Sequence, residues 1–83
     1  MTNEEIRETV LSILEDLCGD SIVRESGDLN LLTMGLLDSL DYVSLQIEIE
    51  DQLGVVLPPS EYTREDLDTP DKIVAAVAAK KVA

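Results

Sequence analysis

Gly35-Leu36-Leu37-Asp38-Ser39-Leu40-Asp41 is the stretch of this chain whose residue types and order could take part in a reaction. Asp38 and Ser39 are both helix N-cap types, and apolar residues recur at helical spacing directly after them, so the serine is expected at a helix mouth with its hydroxyl exposed. A serine hydroxyl becomes a nucleophile only when a base takes its proton. The chain contains no histidine, which removes any Ser-His-Asp or Cys-His arrangement and the ordinary nitrogen-ligated metal sites. None of the aspartate-rich stretches has the alternating ligands and central glycine of a calcium loop, and a glycine-rich phosphate cradle is missing. No catalytic residue and no metal site are therefore assigned. If Ser39 reacts, another protein supplies the base. Taken alone, Asp-Ser-Leu is also what a plain helix cap looks like, so the remaining sequence must separate a modified serine from an unmodified acidic helical adaptor.

The elements that must position this stretch can be drawn from hydrophobic spacing. Thr2 and Glu5 form a capping-box pattern, and Ile6, Val10, Ile13, Leu14 and Leu17 follow at helical spacing, giving a first helix to about Cys18 that Gly19 stops. Gly19 to Leu37 shows no sustained period and reads as a long loop packed by its own Ile22, Val23, Leu29, Leu31, Leu32 and Met34, with bends at Ser26-Gly27-Asp28 and Thr33-Met34-Gly35. The second helix runs from about Ser39 to Leu53, where Gly54 ends it. Val55-Val56-Leu57 before Pro58-Pro59 has no strand to pair with and reads as an extended connector. Thr63 and Asp66 start about one helical turn that reaches Leu67. Thr69 as N-cap and Pro70 at the first helical position then open a final helix, with Ile73, Val74, Ala76 and Val77 inward and Lys80 and Lys81 at its end. The fold class is all-α: a small four-helix bundle of three main helices plus a short third one, with a long first loop, in one domain spanning residues 1–83.

The second helix carries two apolar stripes. Tyr42, Leu45, Ile49 and Leu53 fall on one side, and Leu40, Val43 and Ile47 on nearly the opposite side. The first stripe can face the core; the second is expected to face solvent and await another molecule, the alternative being that loop and helices bury both. Asp38, Asp41, Glu48, Glu50 and Asp51 surround the outward stripe, and no lysine or arginine occurs between Arg24 and Arg64. Carboxylates in the first turn suit the helix dipole, but Glu48, Glu50 and Asp51 come too late to benefit.

Formal charge is −12, from 18 acidic and 6 basic residues in 83. That balance argues against nucleic acid and anionic membrane and for proteins with basic surfaces. No apolar run is long enough for a membrane span and no secretory signal is present, so a cytoplasmic address is expected; a monomer is expected as well. Cys18, the only cysteine, cannot form an internal disulfide and reads as a packing residue.

The Gly35–Asp41 stretch, placed mid-chain and followed by an acidic helix, resembles the phosphopantetheine attachment motif of acyl carrier proteins. The resemblance extends over nearly the whole chain, through the helix order and the Val56-Leu57-Pro58 exit from the second helix. It implies the acyl-carrier bundle, with 4'-phosphopantetheine transferred from coenzyme A to Ser39 by a separate phosphopantetheinyl transferase. The arm's thiol would then hold an acyl or aminoacyl group as a thioester. By the same resemblance Asp38, Leu40, Asp41, Val43, Ile47 and Glu48 match positions that face partner enzymes. Those partners are the transferase, an acyl or aminoacyl ligase and downstream synthases or transferases. The leading expectation is a carrier of acyl intermediates in fatty-acid or specialised acyl biosynthesis. The alternative is an aminoacyl carrier, since Leu36-Leu37 before Asp38 and the Glu61–Asp66 stretch leading to Thr69-Pro70 are similar to D-alanyl carrier proteins of teichoic acid modification. Ser44, Gln46 and Gln52 depart from the housekeeping fatty-acid carrier, where those positions are usually acidic or apolar.

Overall fold

The computed structural model of the chain describes residues 2–58 and 60–82, and all of their regular structure is helical. The elements are α1 (Asn3–Cys18), α2 (Ile22–Glu25), α3 (Ser39–Leu53), a 3₁₀ turn (Glu65–Leu67) and α4 (Pro70–Val82). Thr2 caps α1 reciprocally: its hydroxyl accepts from Glu5 N at 3.2 Å, and Glu5 Oε1 accepts from Thr2 N at 3.2 Å. Gly19, at φ 69°, closes the helix in the left-handed region and donates its N–H to Glu15 O. α1 packs against both α3 and α4. The core between them is aliphatic, built on Ile6, Val10, Leu14, Leu45, Ile49 and Val77, and contains no buried charged residue among those described.

The long loop differs from the expectation in two places. Ile22–Glu25 forms one helical turn where no helix is expected, because Arg24 reaches back to α1 and binds Glu8 at 2.9 Å, Glu15 at 3.2 Å and Ser12 Oγ at 2.8 Å. These contacts are exposed and each contributes about 0.2–1 kcal/mol; the burial of Val23 on the same turn contributes more. Met34, expected inside, is 55% exposed at the outer bend. The other apolar loop residues face inward, with Leu31 fully buried and Ile22, Leu29 and Leu32 half-buried.

The loop is pinned to the far end of the chain. Leu31 N donates to Asp68 O at 2.7 Å, and Asn30 Nδ2 donates to Asp68 Oδ2 at 3.2 Å. Leu31 O in turn accepts from Leu36 N and Leu37 N, which folds the segment into the approach to α3. Val55 and Leu57 are buried and Val56 is exposed, an extended alternation with no strand partner among the described residues; Pro59 lies outside them. Thr63 and Asp66 cap the 3₁₀ turn reciprocally, and Thr69 Oγ1 accepts from Lys72 N to open α4 with Pro70 first. The result is the expected all-α bundle of three main helices and a short third one, with α2 as an additional turn.

Candidate functional site

Asp38 is the cap of α3. Its Oδ1 accepts from Asp41 N at 2.9 Å while Asp41 Oδ2 accepts from Asp38 N at 3.1 Å, so one acid pair satisfies the helix start in both directions. Ser39 is consequently the first helical residue and not the cap. It is exposed, and its hydroxyl makes no hydrogen bond within the described residues. The sequence left Asp38 and Ser39 equal as cap candidates; the reciprocal bond with Asp41 decides it. A plain-cap role for Ser39, on which the adaptor reading rested, is thereby removed.

The two stripes of α3 separate cleanly. Tyr42, Leu45, Ile49 and Leu53 are buried, whereas Leu40 is 76%, Val43 54% and Ile47 60% exposed. The reading in which both stripes are buried is excluded. Of the carboxylates around the outer stripe, Asp38, Glu50 and Asp51 are exposed and Asp41 and Glu48 half-buried, with Glu48 accepting from Gln52 Nε2 at 2.8 Å. No lysine or arginine among the described residues pairs with any of these five. The face therefore combines a small apolar patch with an uncompensated anionic rim.

Opposite the inner edge of α3 stands a wall that sequence reasoning did not assemble. Ser39 lines a half-open groove of about 260 Å³. Tyr42, Val43 and Gln46 form its α3 side, and Tyr62, Arg64 and Leu67 the other. The wall is held firmly. Tyr42 Oη donates to Leu67 O at 3.1 Å. Burial, with Asp68 adding its charge, pushes the Tyr42 phenol up to about 12, while Arg64 acts in the opposite sense. Lys80 Nζ lies 5.8 Å from the centroid of the Tyr62 ring and 2.6 Å from Glu61 Oε2, tying this segment to α4. Only the Thr63/Asp66 capping pattern marked the turn in sequence, and nothing local said that it faces Ser39.

Cys18 is half-buried against the core, and burial, then Asp41 and Asp20, push its thiol up to about 11. Among the described residues no group of three or more Cys, Asp or Glu is arranged to hold a metal ion, and no helix is long and apolar enough to cross a membrane.

Residues 8–77 match the family described as "Phosphopantetheine attachment site". The chain is 48% identical over 77 residues to the D-alanyl carrier protein of Lacticaseibacillus rhamnosus, covering 93% of this chain and 95% of that one. It is 46% identical over 78 residues to the D-alanyl carrier protein of Abiotrophia defectiva (94% and 98%) and 49% identical over 74 residues to that of Enterococcus faecalis (89% and 95%).

Proposed function

Because the chain belongs to the phosphopantetheine attachment site family, whose members carry 4'-phosphopantetheine and act as carriers, we propose that Ser39 is the attachment point and that the cargo is an amino acid, D-alanine. When bound, the group supplies a thiol that holds a carboxylic acid as a thioester. The surroundings of Ser39 fit such a group. The hydroxyl is exposed and uncommitted, and the groove beside it offers a guanidinium, a side-chain amide and two phenol rings to an anionic, amide-containing arm. In the transfer, Ser39 Oγ forms a phosphoester bond to coenzyme A's pantetheine-side phosphorus. The pyrophosphate bond breaks, adenosine 3',5'-bisphosphate leaves, and the serine proton goes to a base on the transferase.

The observation that carries the cargo assignment is the 46–49% identity, over nearly full length, to proteins named D-alanyl carriers. Support thus falls on the aminoacyl alternative, and the fatty-acyl reading loses ground. The groove accords with this: at about 260 Å³ it is slightly below the roughly 300–1,000 Å³ of pockets that enclose a drug-sized ligand, and Leu45 and Ile49 on the inner face of α3 are fully buried. A small cargo needs no such enclosure.

Docking is assigned to the outer face of α3. Leu40, Val43 and Ile47 give partner enzymes a small apolar contact, while Asp38, Asp41 and Glu48 steer basic surfaces toward Ser39. The partners in this reading are a phosphopantetheinyl transferase, an ATP-dependent aminoacyl ligase and an acceptor-side transferase, with residues 1–83 acting as one carrier domain in the cytoplasm, where coenzyme A is made. The family's role is carriage; bond-making belongs to the partners.

Intact mass measurement after incubation with coenzyme A and a transferase tests the attachment. One arm is expected on the native chain and none on Ser39→Ala; an arm on the alanine variant overturns the assignment. Loading assays with D-alanine and with fatty acids, each with ATP and the matching ligase, test the cargo. Loading by a fatty acid alone overturns the aminoacyl reading.

A further inference from the structure

Of the six basic residues, Arg7 pairs with Asp71, Arg24 with Glu8 and Glu15, Lys72 with Asp68 and Lys80 with Glu61. Two have no such partner among the described residues. Lys81 lies in the last turn of α4, where the helix dipole accounts for it. Arg64 lines the same groove as Ser39. Building on the attachment at Ser39, we propose that Arg64 is a positioning residue for the arm: its guanidinium pairs with the phosphodiester on Ser39 and seats the proximal part of the arm in the groove between α3 and residues 62–67.

Charge gives the first reason. Attachment adds a phosphodiester anion at a helix start that already carries Asp38 and Asp41, whose carboxylates are spent on each other's backbone N–H groups. A nearby cation offsets that repulsion, and a planar guanidinium matches phosphate oxygens better than an ammonium does. Arg64 is also held ready for such a partner. Its turn is fixed by the Thr63–Asp66 cap and by Lys72 Nζ donating to Glu65 O at 3.1 Å, so the backbone beneath it is set while the side chain is exposed. Of the surrounding acids, Glu61 is engaged by Lys80, Asp66 by Thr63, and Asp68 by Lys72 and Asn30, while the adjacent Glu65 carboxylate makes no contact with Arg64. Finally, Arg64 shares the groove lining with Tyr42, whose phenol feels its charge. Solvated and unpaired among the described residues, the guanidinium lines the same groove as Ser39 and is free to take a phosphate there.

The test uses isotope-labelled full-length chain, apo and holo, with one arm on Ser39 verified by mass. In the native holo form the Arg64 Nε–Hε resonance shifts relative to apo, and nuclear Overhauser effects connect the arm's geminal methyl groups to the Tyr62 ring. An exposed ion pair changes a population by a factor of roughly 1.5 to 5, so these effects weaken by that factor in Arg64→Gln and are partly kept in Arg64→Lys. In salt of about 1 M, where the Debye length is about 3 Å, the native chain drops to the level of Arg64→Gln and the variant does not change further. An Arg64 resonance identical in apo and holo, or arm contacts of equal strength in native chain and Arg64→Gln, overturns the inference while leaving the attachment intact; the cation then serves a partner enzyme. A native chain that takes no arm overturns the attachment reading and this inference with it.

Discussion

Ile47 and Ile49 are two residues apart on α3 and chemically identical, yet one is 60% exposed and the other fully buried. Replacing each by alanine removes the same three carbons, so the two variants isolate what the burial of one stripe contributes. At about 0.8 kcal/mol per buried CH₂, Ile49→Ala loses about 2.4 kcal/mol in transfer free energy alone. The cavity left in a core that cannot fully collapse takes the total to about 2–5 kcal/mol. For Ile47, less than half of the side chain is out of water, so the loss is about 1 kcal/mol, and alanine's better helix propensity returns a few tenths. The net change is about 0.5 kcal/mol. A chain of 83 residues is stable by roughly 4 to 12 kcal/mol, so Ile49→Ala removes a large share and Ile47→Ala almost none. Urea unfolding followed by circular dichroism measures this. With an m-value of about 1 kcal/mol/M for so small a chain, the midpoint falls by about 2 M or more for Ile49→Ala and by about 0.5 M for Ile47→Ala. Affinity for the transferase should reverse the order, with the Ile47 variant the weaker binder. Equal and large losses of stability in both variants would refute the assignment of two stripes with different duties.

The cap assignment separates two neighbours in the same way: Asp38→Ala should lower stability by about 0.5–2 kcal/mol, while Ser39→Ala, whose hydroxyl bonds to nothing within the described residues, should unfold at the native urea midpoint. Because burial raises the Cys18 thiol to about 11, it stays protonated through pH 8 and its alkylation by iodoacetamide should climb about tenfold per pH unit up to that value. The arm's thiol, with an ordinary value near 8.5, should be labelled first and selectively in the holo form; labelling of both at equal rates at pH 8 would count against the buried environment of Cys18. The unpaired carboxylates of α3 repel one another, so moderate salt or millimolar magnesium should raise the melting temperature. Converting Asp41 and Glu48 to lysine should slow association with the transferase mainly in the on-rate, with the gap closing as salt rises in stopped-flow traces.

Local chemistry made the helix starts readable. Thr2 with Glu5, Thr63 with Asp66, and Thr69 with Pro70 each announce a cap within four residues, and each cap is present in the fold. The division of α3 into inner and outer stripes was equally legible, because 15 residues are enough to show two faces. α2 was not, since four residues cannot display a period and the turn is held by the burial of Val23 and by Arg24 contacts to Glu8 and Glu15, 16 and 9 positions away. Met34 misled because an apolar residue type does not say which way a bend points. The wall facing Ser39 was illegible for the same reason of distance: Tyr42 meets Leu67 across 25 positions, and no pattern in either segment names the other. What the sequence did offer was the long gap without a cation that ends at Arg64, a compositional oddity whose meaning is spatial.

Asp68 binds the middle of the loop through its carbonyl to Leu31 and its carboxylate to Asn30, and Leu31 in turn folds Leu36 and Leu37 into the approach to Ser39. The serine's presentation thus depends on a residue 29 positions later in the chain. During synthesis the ribosome releases Ser39 well before Asp68, so a nascent chain that ends short of the 3₁₀ turn holds the serine in an unanchored segment. Fragments truncated before Asp68 should be poor substrates for the transferase even though every residue of the Gly35–Asp41 stretch is present. With the arm on Ser39 as proposed, loading would follow the anchoring of the loop by Asp68 and so the folding of the chain around it.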